Sequence, residues 1–300
     1  MAVLPPFFLD AVVAIGFVVN GKTTYVATGF LLGRLERTED NGDRRFRIFL
    51  VTNKHVFAGQ PQAYVRFNPD SGDDAREYDI PLLTSNGATA WVTHPTKDVD
   101  LAVIGINAAL LQEHGIRFRF FENDRHVLSL ASAKEKGLSE GDGVFALGFP
   151  MGMIGEKRDF VIVRQGSIAR IQDALNGASN EILIDMTIFP GNSGGPVVTR
   201  PELVSIEGTQ PIGNASLVGV ISSYVPYQDV AISLQTKRPR VIFEENSGLA
   251  SVVPVDRLLE IVDHAVQEIE SASTPNAVDN RESTTVDDNQ KESPDSAPGS

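Results

Sequence analysis

Short apolar runs recur along most of the chain, separated by links rich in Gly, Asn, Asp and charged residues. Runs of that length with β-branched and aromatic residues predict strands, and their number predicts an all-β barrel or sandwich. The candidate strands are residues 12–19, 25–32, 47–52, 63–67, 101–106, 143–148, 160–169, 182–185, 196–198 and 217–222. Polar links at 37–45 and 68–76 separate some of them, and Val56-Phe57-Ala58-Gly59 fits one helical turn. A different period appears late. Over 254–266, Val255, Leu258, Leu259, Val262 and Val266 fall on one face of a helix. From residue 271 large apolar residues almost vanish, which predicts an acidic disordered tail over 271–300.

Composition narrows this picture. The 300 residues are 42% hydrophobic, enough for one large folded body over 1–270. No stretch reaches the roughly 18 apolar residues of a membrane span. The apolar start lacks a basic leader and carries Pro5, Pro6 and Asp10, so 12–19 reads as a first strand rather than a targeting segment. There are no cysteines, which excludes a thiol nucleophile, disulfides and thiolate metal sites and points to a reducing, cytoplasmic setting. The net charge of -13 disfavours a nucleic-acid partner.

The strongest chemical signal is Phe189-Pro190-Gly191-Asn192-Ser193-Gly194-Gly195-Pro196. A nucleophilic serine needs an exposed hydroxyl and backbone N–H groups aimed at a developing oxyanion. Glycines permit such a turn, and the N–H groups of Gly191 and Ser193 are the candidate oxyanion hole. A plain turn between two strands would use the same residue types. Serine also needs a base, and of five histidines only His55 follows an apolar strand and precedes a turn. His94, His114, His126 and His264 fit loop, surface or helix positions. A carboxylate must hold the base, and Asp100 abuts the strand at 101–106, whereas Asp98 sits in a polar turn. The order His55, Asp100, Ser193 is that of chymotrypsin-type hydrolases, distinct from subtilisin and the α/β-hydrolases.

Several segments together resemble the trypsin-like serine protease domain, closest to its bacterial HtrA/Deg branch. They are Thr52-Asn53-Lys54-His55-Val56, Asp100-Leu101-Ala102-Val103, Leu147-Gly148-Phe149-Pro150-Met151-Gly152, Arg164-Gln165-Gly166-Ser167-Ile168, the serine segment up to Pro196, and Gly248-Leu249-Ala250-Ser251-Val252-Val253-Pro254. The resemblance covers about residues 12–266. It implies two six-stranded antiparallel β-barrels, meeting near 120–140, with the active site between them and a closing C-terminal helix. It also implies peptide-bond hydrolysis through an acyl-enzyme, acting on protein or peptide substrates without metal or organic cofactor. A catalytically silent domain that binds peptides or a partner is the alternative, and an esterase using the same triad is a third.

The departures carry information too. The tail is too short for the PDZ domain that usually follows in that branch. Where classical members carry an acid before the nucleophile, this chain has Asn192, so activation through a new N-terminus is not expected. By the resemblance, Thr187 lies at the base of the substrate pocket, and Ser222, Ser223 and Tyr224 line its wall. A neutral Thr187 implies a small or medium apolar side chain before the scissile bond rather than Arg or Lys. The stretch 224–247, with Lys237-Arg238-Pro239-Arg240, is long for a connection and fits either a lid or partner-holding loop or a plain insertion. The sequence leaves the oligomeric state open.

Overall fold

The computed structural model describes residues 3–202 and 211–273. The N-terminal half runs α1 (Pro6–Leu9), β1 (Val12–Val19), β2 (Lys22–Thr38), β3 (Arg44–Thr52), α2 (Lys54–Phe57), β4 (Gln62–Phe67), β5 (Arg76–Pro81), β6 (Val92–Thr93), β7 (Ala102–Gly105), α3 (Ala108–Glu113) and β8 (Phe121–Glu122). The C-terminal half runs α4 (Leu130–Glu135), β9 (Gly143–Gly148), β10 (Ile162–Arg170), α5 (Gln172–Leu175), β11 (Ile182–Asp185), β12 (Pro196–Thr199), β13 (Leu217–Ile232), β14 (Pro239–Pro254) and α6 (Val255–Ser273).

The first half is an eight-stranded sheet in the order β5-β4-β1-β2-β3-β7-β6, with β8 paired to β2. The second half closes as a six-stranded barrel, β10-β11-β14-β13-β12-β9. The chain has the all-β class expected from its strand pattern and the chymotrypsin-like double-barrel architecture that the family resemblance implied. The N-terminal sheet gains short β6 and β8, each only two residues long and invisible to a periodicity reading.

The strands of the N-terminal sheet look continuously apolar because both their faces are covered. Val13, Ile15 and Phe17 of β1 enter the core of the N-terminal sheet, with Leu31, Leu50 and Val65. The alternate residues Val12 and Ala14 face the opposite way, into a core shared with Phe30, Phe49, Leu147 and Val253. Side chains alternate across a strand, so one run of apolar residues feeds two cores. That second core joins the halves, and α6 seals it with Val255, Leu258, Ile261 and Val262. The barrel has its own interior, including Ala146, Ile168, Ile184, Val197 and Val252.

Three sequence expectations change. The link at 37–45 is strand at both ends, where Arg45–Glu39 and Arg47–Glu36 ion pairs brace the β2–β3 ribbon, and narrows to a turn over 39–43. The link at 68–76 ends in β5, whose polar residues pair with β4 on an exposed edge. The segment 224–247 is no loop: β13 and β14 continue as a paired two-stranded ribbon to a turn after Ile232. Pro226, two charged stretches and register shifts hide its alternation. The helix expected over 254–266 runs on to Ser273, and the tail beyond lies outside the described residues. Among the described residues, no helix is long and apolar enough to cross a membrane.

Candidate active site

β3 and β7 are antiparallel neighbours, with Thr52 opposite Ala102. That register sets the end of β3 beside the start of β7, and it brings His55 to Asp100 across 45 positions. After Thr52 the chain turns at once into α2, and Asn53 ties the turn down by donating Nδ2 to the Asp100 carbonyl at 2.7 Å. The His55 backbone N–H then donates to Asp100 Oδ1 at 3.0 Å, and His55 Nδ1 lies 2.6 Å from Asp100 Oδ2. A carboxylate oxygen accepts, so Nδ1 carries the proton and Nε2 keeps its lone pair. Ser222 Oγ also donates to Asp100 Oδ2, at 3.2 Å. Burial pushes the Asp100 carboxyl up, but the hydrogen bonds and charge of His55 outweigh it and hold the group below the usual carboxylate range. Asp98 is exposed.

Ser193 sits between two consecutive turns. Asn192 N–H donates to the Phe189 carbonyl at 3.0 Å, and Gly195 N–H to the Asn192 carbonyl at 2.9 Å. Each turn needs a positive φ at its third residue, and Gly191 (100°) and Gly194 (84°) supply it. Space demands glycine there as well. A Cβ on Gly191 would lie 2.5 Å from the Phe149 carbonyl oxygen, and one on Gly194 2.2 Å from that of Thr28.

The turn is clamped from both halves. Thr28 Oγ1 donates to the Gly191 carbonyl at 2.6 Å and accepts from Phe149 N–H at 3.0 Å, while Thr28 N–H donates to the Ser193 carbonyl at 3.0 Å. Met151 N–H donates to the Pro190 carbonyl at 2.6 Å. In a trans peptide N–H and C=O point oppositely, so this bond turns the Gly191 N–H away from Met151. Neither the Gly191 nor the Ser193 N–H has an acceptor among the described residues. Ser193 Oγ donates to the Ser222 carbonyl at 3.3 Å.

His55, Asp100 and Ser193 line one cavity of about 460 Å³ with Ile188, Phe189, Pro190, Ser222, Ser223 and Tyr224. Six of these nine residues are ones the sequence singled out. Thr187, expected at the pocket base, is half-buried and precedes the lining residues Ile188–Pro190 rather than joining them. His94 lies in the loop after β6 but not at the surface: it is buried, accepts from Thr96 N–H at 3.0 Å through Nδ1, and lies 2.8 Å from Glu260 of α6 through Nε2. Thr28 was missed. Its signal was a polar residue inside an otherwise apolar strand, buried with every polar atom engaged. Among the described residues no cluster of three His, Cys, Asp or Glu could hold a metal.

The model of the trypsin-like peptidase domain matches residues 14–204, from β1 past β12, and spans all three candidate residues. The chain belongs to the trypsin-like peptidase family. No curated protein sequence matches it. Among solved structures, this trypsin-like peptidase chain is similar to the apo MamO protease domain from Magnetospirillum magneticum. That likeness has 18% identity and a TM-score of 0.46, covering 86% of this chain and 97% of the other.

Proposed function

We propose that this trypsin-like peptidase domain is an active serine endopeptidase, with Ser193 as nucleophile, His55 as base and Asp100 as its orienting carboxylate. The observation that carries the reading is the pairing of Asp100 with His55 on a cavity that Ser193 also lines; the unsatisfied N–H groups of Gly191 and Ser193 support it. Ser193 Oγ leaves the Ser222 carbonyl and attacks the substrate carbonyl as His55 Nε2 takes its proton. The oxyanion accepts from the Gly191 and Ser193 N–H groups, which no described residue occupies. Asp100 stabilises the imidazolium without taking its proton. His55 then protonates the leaving amine as the C–N bond breaks. Water, deprotonated by His55, attacks the ester and frees the acid and Ser193.

The pocket chemistry favours an apolar side chain before the scissile bond, since Ile188, Phe189 and Tyr224 line it and its one acid, Asp100, is engaged by His55 and Ser222. One observation favours a silent binding domain instead: Ser193 Oγ is bonded to a carbonyl, not to His55. A fluorophosphonate probe separates the two. The endopeptidase reading expects covalent labelling of the wild type, none of Ser193→Ala, and hydrolysis of peptides with apolar residues at the bond. Labelling that survives Ser193→Ala, or a wild type inert to probe and peptides alike, removes it.

A further inference from the structure

The strand β13 does more than wall the pocket. It pairs with β12 only as far as Val220, and its backbone bonds to the serine turn end at Ile221, with Ser193 Oγ reaching the Ser222 carbonyl. From Ser223 to Ile232, among the described residues only β14 pairs with it, on one edge. Ser233 N–H donates to the Arg238 carbonyl at 3.0 Å, so the odd-numbered positions of the ribbon turn toward β14 and the even-numbered ones turn outward. Two details agree. The Val230 N–H is taken by its neighbour Asp229 Oδ1 at 2.8 Å rather than by β14. Pro226, with no N–H to offer, sits at an outward position, where an edge strand tolerates it.

The face that belongs with this edge is continuous with the pocket. Tyr224, a pocket-lining residue, donates its hydroxyl to Glu244 at 2.6 Å, and Gln228 donates to the same carboxylate at 3.1 Å. Beyond them the pair Val230–Ile242 and then Ile232 extend the stripe, 41%, 62% and 57% exposed. A two-stranded ribbon standing alone is marginal in water, and a long, apolar, unpaired edge is a template for another strand.

We infer that the free edge of β13, from Tyr224 to Ile232, is an extended docking edge for substrate, which adds a strand carrying apolar residues far upstream of the scissile bond. The inference rests on the endopeptidase reading for its direction. His55 protonates the leaving amine, so the downstream part departs on the His55 side, and the acyl part runs along Ser222–Tyr224. A strand advances about 3.3 Å per residue, so the ribbon carries recognition roughly 30 Å beyond the reacting carbonyl. Main-chain bonds to the edge supply affinity, and Val230, Ile232 and Ile242 supply preference. The occupant is the substrate because edge and stripe start at Tyr224, which lines the catalytic cavity, and resume past the register shift at Pro226.

The test is peptide binding to Ser193→Ala, by fluorescence anisotropy. One peptide carries four residues upstream of the bond. A second adds eight residues of alternating apolar and polar character, and a third adds eight of Gly and Ser. The expected result is a gain of at least about tenfold in affinity for the second over the first, and a smaller gain for the third. Replacing residues 230–242 by Asn-Gly, a turn that re-closes the hairpin, removes the gain. So does Gln228→Pro, which removes an outward N–H that no described neighbour takes and leaves the pairing with β14 intact. The long-to-short ratio is the readout, so a general loss of folding does not imitate the result. Equal binding of all three peptides overturns the inference, as does a gain that survives the trimming. A dimer abolished by trimming, with no dependence on peptide length, assigns the ribbon to a second copy and also overturns it. The binding assay needs no turnover, so a wild type inert to fluorophosphonate sinks the catalytic reading and leaves this result to stand or fall alone.

Discussion

Thr28 of β2 donates its hydroxyl to the carbonyl of Gly191, 163 positions later, across the junction of the two halves. The same oxygen accepts from Phe149 N–H, and the Thr28 backbone binds the Ser193 carbonyl. One side chain of the N-terminal sheet thus shapes a turn that belongs to the C-terminal barrel. The candidate oxyanion hole exists only when both halves are folded and docked.

Thr28→Val keeps the shape but leaves a buried carbonyl and a buried N–H without partners. Each orphaned group costs about 1–3 kcal/mol. The variant is expected to unfold at lower denaturant and to lose on the order of 10²–10³ in kcat through a misplaced oxyanion hole. Thr28→Ser restores the hydroxyl and most of the rate. Steady-state kinetics beside urea unfolding checks it, and a stable Thr28→Val with full kcat would contradict the clamp.

Asp100→Asn retains the size of the side chain but presents the wrong group to His55 Nδ1. A loss of about 10⁴ in kcat with little change in KM is expected, as for an orienting carboxylate. Asp100 also links to acid stability. Its carboxyl is held below the ordinary value, so its contribution is present above that value and fades as pH falls through the lower, folded one. The wild type should lose more stability than Asp100→Asn as pH falls below about 4.

Gly191→Ala puts a methyl group 2.5 Å from the Phe149 carbonyl oxygen at a φ of 100°. The turn must shift, and the N–H groups with it. Substrate affinity should change little while kcat falls by more than about tenfold. Parallel measurement of peptide binding to the Ser193→Ala/Gly191→Ala pair separates the two effects, and equal losses in binding and rate would count against a role confined to the transition state.

Asp159 offers the opposite pH dependence. Burial lifts its carboxyl to about 6, against the pull of Arg66 and Arg158. Arg66 lies 3.2 Å from Oδ1, yet neither Asp159 oxygen makes a hydrogen bond. The folded state holds the proton more tightly than the unfolded one, so stability declines as pH rises from about 4 to 6. Asp159→Asn should therefore be more stable than the wild type at pH 7, by about 1–3 kcal/mol, and the gain should vanish near pH 4. Thermal melts across that range read it directly, and a wild type that gains stability from pH 4 to 6 would refute it.

Much of this protein was legible in residue order. Short apolar runs announced β1, β9, β11 and most other barrel strands, and a 3.6 period announced α6, because those patterns follow from local backbone geometry. Ser193, His55 and Asp100 stood out because each needs a particular local setting: a glycine turn, a strand end followed by a helical turn, and an acid abutting an apolar strand. The ribbon of β13 and β14 did not stand out, since its exposed residues answer to no core and their alternation is interrupted by Pro226 and by register shifts.

What residue order could not decide was distance. His94 and His55 are both histidines near strand ends, yet one is buried against Glu260 of α6 and the other opens onto the cavity beside Ser193. Thr28 is a lone threonine in an apolar run until docking of the halves brings Gly191, Phe149 and Ser193 around it. The sequence by itself determined the glycine turn, the strands and the order of the three reactive side chains. Only tertiary structure decided which N–H groups remain unsatisfied, because hydrogen bonds across more than a hundred residues depend on packing that no local pattern encodes.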